Sequence, residues 1–167
     1  LYPSVEHHKI ALEPNIDKIA ILRDPLDRIV SAYANRVATK KGGELHQWDR
    51  LRERGLNREP SLIEFITNLE SYREFLPTIE HHTSPQARWI GVDMNIYQRV
   101  FLMSKPEDLT DYISQRLGRE VSLPHQQESK MKIDDFTSSS DEMKSVMTKV
   151  MTIYEEDYAL LKQVASA

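Results

Sequence analysis

Cysteine is absent from all 167 residues, which excludes disulfide bonds, thiolate metal centres and cysteine nucleophiles, and suits a reducing compartment. No stretch approaches the roughly 18 consecutive apolar residues of a membrane-spanning helix, and the N-terminus lacks the basic-then-apolar order of a secretory leader. Excess positive charge is missing too. The formal net charge is −4, from 22 Lys and Arg against 26 Asp and Glu, so a broad basic surface for nucleic acid or an acidic membrane is excluded. Any anion site must be local. There is no internal repeat and no low-complexity tract. The tripeptide EHH occurs at 6–8 and again at 80–82, but it is too short to make a repeat.

What is present suffices for one core. With 40% hydrophobic residues, the expectation is a single domain over residues 1–167. Residues 18–22 (KIAIL) form a short β-branched apolar run, which reads as a buried strand. Asp24 is placed to cap the following helix, and Pro25 falls where a first helical turn tolerates proline. Leu26, Ile29, Val30, Tyr33, Ala34 and Val37 then recur at helical spacing.

Residues 40–60 turn polar, with Gly42-Gly43 and the segment WDRLRERGLNRE, and predict an exposed loop carrying a short helix. Ser61 and Glu64 make a capping-box pattern ahead of Leu62, Phe65, Ile66 and Leu69, predicting a helix that ends near Ser71. Two prolines make 77–91 read as irregular, and 97–103 (YQRVFLM) reads as a second strand. Ser104, Pro106 and Glu107 open a further helix that Gly118 stops. Residues 123–133 read as loop. Asp141 opens a long terminal helix, with Met143, Val146, Met147, Val150, Ile153, Tyr154, Tyr158 and Leu161 on its apolar face. Strands alternating with helices predict an α/β layer with parallel strands.

The corner at 21–33 (ILRDPLDRIVSAY) carries chemistry. In open α/β sheets ligands gather at the carboxyl ends of strands, where a helix N-terminus also directs N–H groups and positive dipole. Arg23 ends its strand, and Ser31 follows about 10 Å along the helix at 1.5 Å per residue. A guanidinium fork and a hydroxyl suit a phosphate. The structural alternative is that Arg23 pairs with Asp24, Asp27 or another acid while Ser31 satisfies its own backbone.

Arg23, Asp24-Pro25, Ser31 and Tyr33, with Arg28 between, resemble the 3′-phosphate-binding motif of sulfotransferases that use 3′-phosphoadenosine 5′-phosphosulfate (PAPS), most of all the carbohydrate-type, family 2-like branch. The segments SPQARWIG, EDLTDYISQRLG, PHQQES and YEEDYALL extend the resemblance, in order, over most of the chain. It implies a P-loop-type sulfotransferase fold with a central parallel sheet flanked by helices. It also implies in-line transfer of the sulfuryl group of PAPS, a co-substrate, to a hydroxyl or amine of a carbohydrate or small-molecule acceptor, without a metal. Arg23 and Ser31 would hold the 3′-phosphate. The general base would be His8, with His7 as substitute, because the family places a histidine shortly before the strand that carries the arginine; Glu6 would orient it and Lys9 would meet developing charge. His81 and His82 would be a second pair in contact with acceptor or donor. The chain departs from the family in one respect: no Gly/Ser/Thr-rich loop with a lysine is found for the 5′-phosphosulfate. Since residue 1 is Leu and not Met, the expectation is a fold truncated at the N-terminus, with that loop upstream.

Two other readings come from the same residues. His7, His8, His81 and His82 with their glutamates offer imidazole and carboxylate ligands for a metal-dependent enzyme, though not at i, i+4 helical spacing. A non-catalytic nucleotide-binding module would keep the corner without the loop. The expected location is cytoplasmic, or the Golgi lumen if an N-terminal anchor has been removed. No pattern identifies the acceptor, whose contacts are expected from 40–60 and 77–91.

Overall fold

The computed structural model describes residues 16–39, 51–123 and 139–166. In chain order they form strand β1 (Ile19–Leu22), helix α1 (Pro25–Ala32) running on as a π-helical segment (Tyr33–Ala38), and a 3-10 turn (Leu51–Arg54). Helices α2 (Leu62–Thr67), α3 (Leu69–Phe75), α4 (Pro77–Thr83) and α5 (Ala87–Ile90) follow, with a 3-10 turn (Met94–Ile96) after them. Strand β2 (Arg99–Leu102) and helices α6 (Pro106–Leu117), α7 (Ser140–Ile153) and α8 (Glu155–Ala165) complete the described elements. Among the described residues the architecture is mixed α/β, mostly helical, with a two-stranded parallel sheet. These residues divide into two compact units. One holds 16–24, 85–123 and 156–166, and the other 25–39, 51–84 and 139–155.

In the first unit β1 and β2 run parallel, with Ile19 opposite Arg99 and Leu22 opposite Leu102. Gln98 N–H donates to the Lys18 carbonyl at 2.8 Å, and Met103 N–H to the Leu22 carbonyl at 2.7 Å. Leu22, Ala87, Met94 and Leu160 make the buried core, and Ile90, Tyr97, Val100, Leu102, Leu161 and Val164 pack on it. Helix α6 lies against β2 through Tyr112, whose ring is 5.3 Å from that of Phe101 and carries the Arg99 guanidinium 5.6 Å above it. Its end is the expected one. Gly118 adopts φ +62°, a left-handed conformation that glycine reaches without a Cβ clash, and Arg119 N–H closes onto the Ser114 carbonyl.

In the second unit the expected Ser61 cap forms, its hydroxyl accepting from Glu64 N–H at 3.2 Å. Leu62, Phe65, Ile66 and Leu69 are all fully buried, as their spacing predicted. Tyr33 and Tyr72 flank Phe65 at ring distances of 5.7 and 5.3 Å. Ile29 and Val30 of α1 and Val146, Val150 and Tyr154 of α7 are buried as well. Arg73 organises the polar interior. Its guanidinium donates to the Thr83 hydroxyl at 3.0 Å, to the Thr83 carbonyl and to the Tyr154 hydroxyl, and stacks 5.2 Å over the Tyr154 ring.

Several expected boundaries move. The helix expected to end near Ser71 instead breaks at Asn68 and resumes to Phe75. The Asn68 side-chain amide donates to the Glu64 carbonyl at 3.0 Å, a local bond that competes with helical continuation. The irregular stretch expected at 77–91 is largely helical, as α4 and α5. Pro77 stands in the first turn of α4, where its missing N–H costs no hydrogen bond. The terminal helix begins one residue early, capped by Ser139 on Glu142 N–H at 3.2 Å, and breaks at Tyr154. Segment 40–60 is only partly exposed: Leu51, Leu56 and Pro60 are buried, and 40–50 lie outside the described residues.

Ser61→Ala removes the α2 cap without touching the core. The expected cost is about 1 kcal/mol of unfolding free energy, read as a lower urea midpoint at unchanged slope.

Candidate functional site

Arg23 directly follows β1 and is half-buried. Its main chain is held by one side chain. Arg23 N–H donates to Gln86 Oε1 at 2.9 Å, and the same amide donates through Nε2 to the Ile21 carbonyl at 3.0 Å. Gln86 is held in turn by Asp157, which is 1% exposed: its Oδ2 accepts from Gln86 N–H and its Oδ1 from Ala87 N–H, both at 2.8 Å. The Arg23 side chain thus starts from a fixed backbone.

Ser31 belongs to the other unit, on α1 near its passage into the π-helical segment. The Asn35 amide donates to the Ser31 carbonyl at 2.9 Å and approaches the Ser31 hydroxyl oxygen at 3.4 Å. A hydroxyl that accepts on its oxygen directs its own hydrogen elsewhere, the polarity an anionic acceptor such as phosphate requires. The unit boundary falls between Asp24 and Pro25, so Arg23 and Ser31 are described each within its own unit. Arg28 is turned to the end of α4, where its Nη2 donates to the Ser84 carbonyl at 2.5 Å.

His81 and His82 sit in the last turn of α4, edge to face at 5.2 Å, His81 exposed and His82 half-buried. His7, His8, Glu6, Lys9, Gly42-Gly43 and the PHQQES loop lie outside the described residues. Among the described residues no group of three or more His, Asp or Glu is arranged to hold a metal ion. None of their helices is long and apolar enough to cross a membrane.

The segment expected to carry acceptor contacts lines a cavity of about 550 Å³ in the second unit, walled by Arg52, Asn57, Arg58, Glu59 and Glu64. Its wall is internally braced. Asn57 donates to Glu64 at 3.0 Å and accepts from Glu59 N–H at 2.9 Å. From behind, the Tyr72 hydroxyl donates to the Asn57 carbonyl at 2.7 Å, and the Tyr33 hydroxyl to the Pro60 carbonyl at 2.9 Å. Burial, aided by the charge of Glu64, pushes the Tyr72 phenol up to about 12.

Sequence reasoning missed Gln86 and Asp157. A signal for Asp157 existed, since it falls three residues after Tyr154 and three before Leu160, on a buried helical face where a carboxylate requires donors. Gln86 gave none, because its partners lie 63 to 71 residues away in sequence.

Comparison with known families settles the class. The model of the sulfotransferase family matches residues 2–162, and the chain belongs to that family. No curated protein and no solved structure gave a significant match.

The raised Tyr72 value predicts a pH effect. The folded state holds this proton more tightly than the unfolded chain, where tyrosine titrates near 10, so the stabilisation is complete below pH 10 and is lost between about 10 and 12. A tyrosinate absorbance titration should show a late-ionising group that Tyr72→Phe removes. Ionisation of all seven tyrosines near pH 10 in the folded protein would contradict it.

Proposed function

We propose that this sulfotransferase-family chain transfers the sulfuryl group of PAPS to a hydroxyl or amine of a carbohydrate or small-molecule acceptor. The observation that carries the reading is the order of elements along the chain: a parallel strand with Ala20 and Leu22 buried, Arg23 directly after it, Pro25 opening the next helix, and Ser31 on that helix eight residues after the arginine. In the proposal the 167 residues act as one domain of the P-loop-type sulfotransferase fold, and Arg23 and Ser31 hold the 3′-phosphate. The donor set fits the group, since a planar charged fork and a hydroxyl hydrogen are both donors and a phosphate offers only acceptors at neutral pH. PAPS supplies the activated sulfate. The protein's own contribution at this corner is orientation, fixing the donor by a group that does not react. His8, or His7 in its place, takes the proton from the acceptor.

Adenosine 3′,5′-bisphosphate should raise the melting temperature in a concentration-dependent way. Arg23→Ala and Ser31→Ala should each weaken its binding, the arginine by roughly 10- to 100-fold, the loss of a charge-assisted hydrogen bond. No melting shift at millimolar ligand, or unchanged affinity in both variants, would remove the reading. Nucleotide binding without sulfate transfer to any offered sugar would favour the non-catalytic alternative. His8→Gln should lower kcat by roughly 100-fold or more while leaving nucleotide affinity intact; if His7→Gln alone does so, the base is His7.

A further inference from the structure

The edge of β1 away from β2 meets a glutamine side chain that behaves as one residue of a neighbouring strand. Carbonyls along a strand point alternately to either side. Leu22 turns its carbonyl to β2, where Met103 N–H takes it, whereas Ile21 presents its carbonyl and Arg23 its N–H to the opposite edge. A residue of a parallel neighbour there would donate to Ile21 and accept from Arg23. The Gln86 primary amide does both, at 3.0 and 2.9 Å. It is itself immobilised, because Asp157 binds its main-chain N–H and that of Ala87 with one oxygen each.

We infer that Gln86, locked by Asp157, is a positioning residue for the 3′-phosphate group, fixing the backbone from which the Arg23 guanidinium reaches it; this rests on the reading of Arg23 as a phosphate ligand. A residue directly after a strand otherwise frays, with its side chain sweeping a cone of directions. Pinning N–H(23) and C=O(21) to one rigid planar amide removes that freedom before ligand arrives, which is how supporting contacts raise the specificity of a binding group. Gln86 need not touch the nucleotide. Its effect is therefore confined to the part of the ligand that Arg23 reads.

The test compares the affinities of the full chain for adenosine 3′,5′-bisphosphate and adenosine 5′-monophosphate, whose ratio reports the 3′-phosphate alone. Gln86→Met keeps length and burial and loses both hydrogen bonds; Gln86→Asn keeps the amide one methylene too short to bridge, and serves if the methionine variant does not fold. Either should lower the ratio by roughly 3- to 10-fold, the loss of an ordinary hydrogen bond's worth of positioning, with 5′-monophosphate affinity unchanged. In the Arg23→Ala background the same change should have no further effect, since it acts through the arginine. A general packing defect would weaken both nucleotides alike and would add to Arg23→Ala. If Arg23→Ala lowers the ratio but the folded Gln86 variants retain it, or if the two effects add, the positioning role is overturned and the phosphate ligand stands. If the unsubstituted chain does not discriminate, or Arg23→Ala leaves the ratio intact, the underlying reading fails and this inference fails with it.

Discussion

A carboxylate sealed from water must find hydrogen-bond donors, and Asp157 finds them in two consecutive backbone N–H groups. Much of the first unit hangs on that grip. It fixes the start of α5, and thereby Gln86, which closes over the edge of β1; on the other edge β1 is held by β2, and Leu160 of the helix that supplies the aspartate enters the same core as Leu22. Breaking one partner of such a buried pair costs more than the pair contributes, since the remaining group is left unsatisfied. The second unit has its own counterpart in Arg73, whose donors engage Thr83 and Tyr154, and so tie together the end of α3, the end of α4 and the end of α7.

These two polar centres explain which parts of the fold could be read from sequence. The strand at 19–22, the turn at Pro25, the Ser61 cap and the Gly118 stop are local events, set by residues within a few positions of one another, and each stands where pattern and side-chain chemistry put it. The break at Tyr154 was invisible because its hydroxyl donates to Thr83, 71 residues earlier. Proline at 77 and 85 suggested an irregular stretch, but in a helix's first turn proline is compatible with helix, and the composition of 77–91 does not distinguish the two. The candidate site divides the same way. Arg23 and Ser31 stand out because strand end and helix face are both periodic features; the amide behind Arg23 does not, since no spacing rule links positions 86 and 157 to position 23.

The cavity in the second unit shows how a loop of charged residues acquires a definite shape. Its wall carries arginines and glutamates of both signs, and exposed pairs of that kind fix little on their own. The two tyrosine hydroxyls give it form. Each rises from a buried aromatic cluster to a main-chain carbonyl of the loop, so side-chain packing around Phe65 sets the position of a polar surface. Tyr33 lies two residues beyond Ser31, which puts the hydroxyl proposed for phosphate and one tether of the cavity wall on the same stretch of chain.

That stretch is wound with an i→i+5 rather than an i→i+4 pattern from Tyr33 to Ala38, and the winding has a meaning for how such a chain changes over generations. A π turn holds one residue more than the α turn it replaces, and one residue of α-helix is worth about 100° of rotation. The segment is thus a slack point in the helix, where a single-residue gain or loss is absorbed as a change of winding. Ile29 and Val30 ahead of it and Tyr33, Ala34 and Val37 within it are all buried. A residue gained or lost there would leave Ser31, upstream of the slack, at its own place on α1.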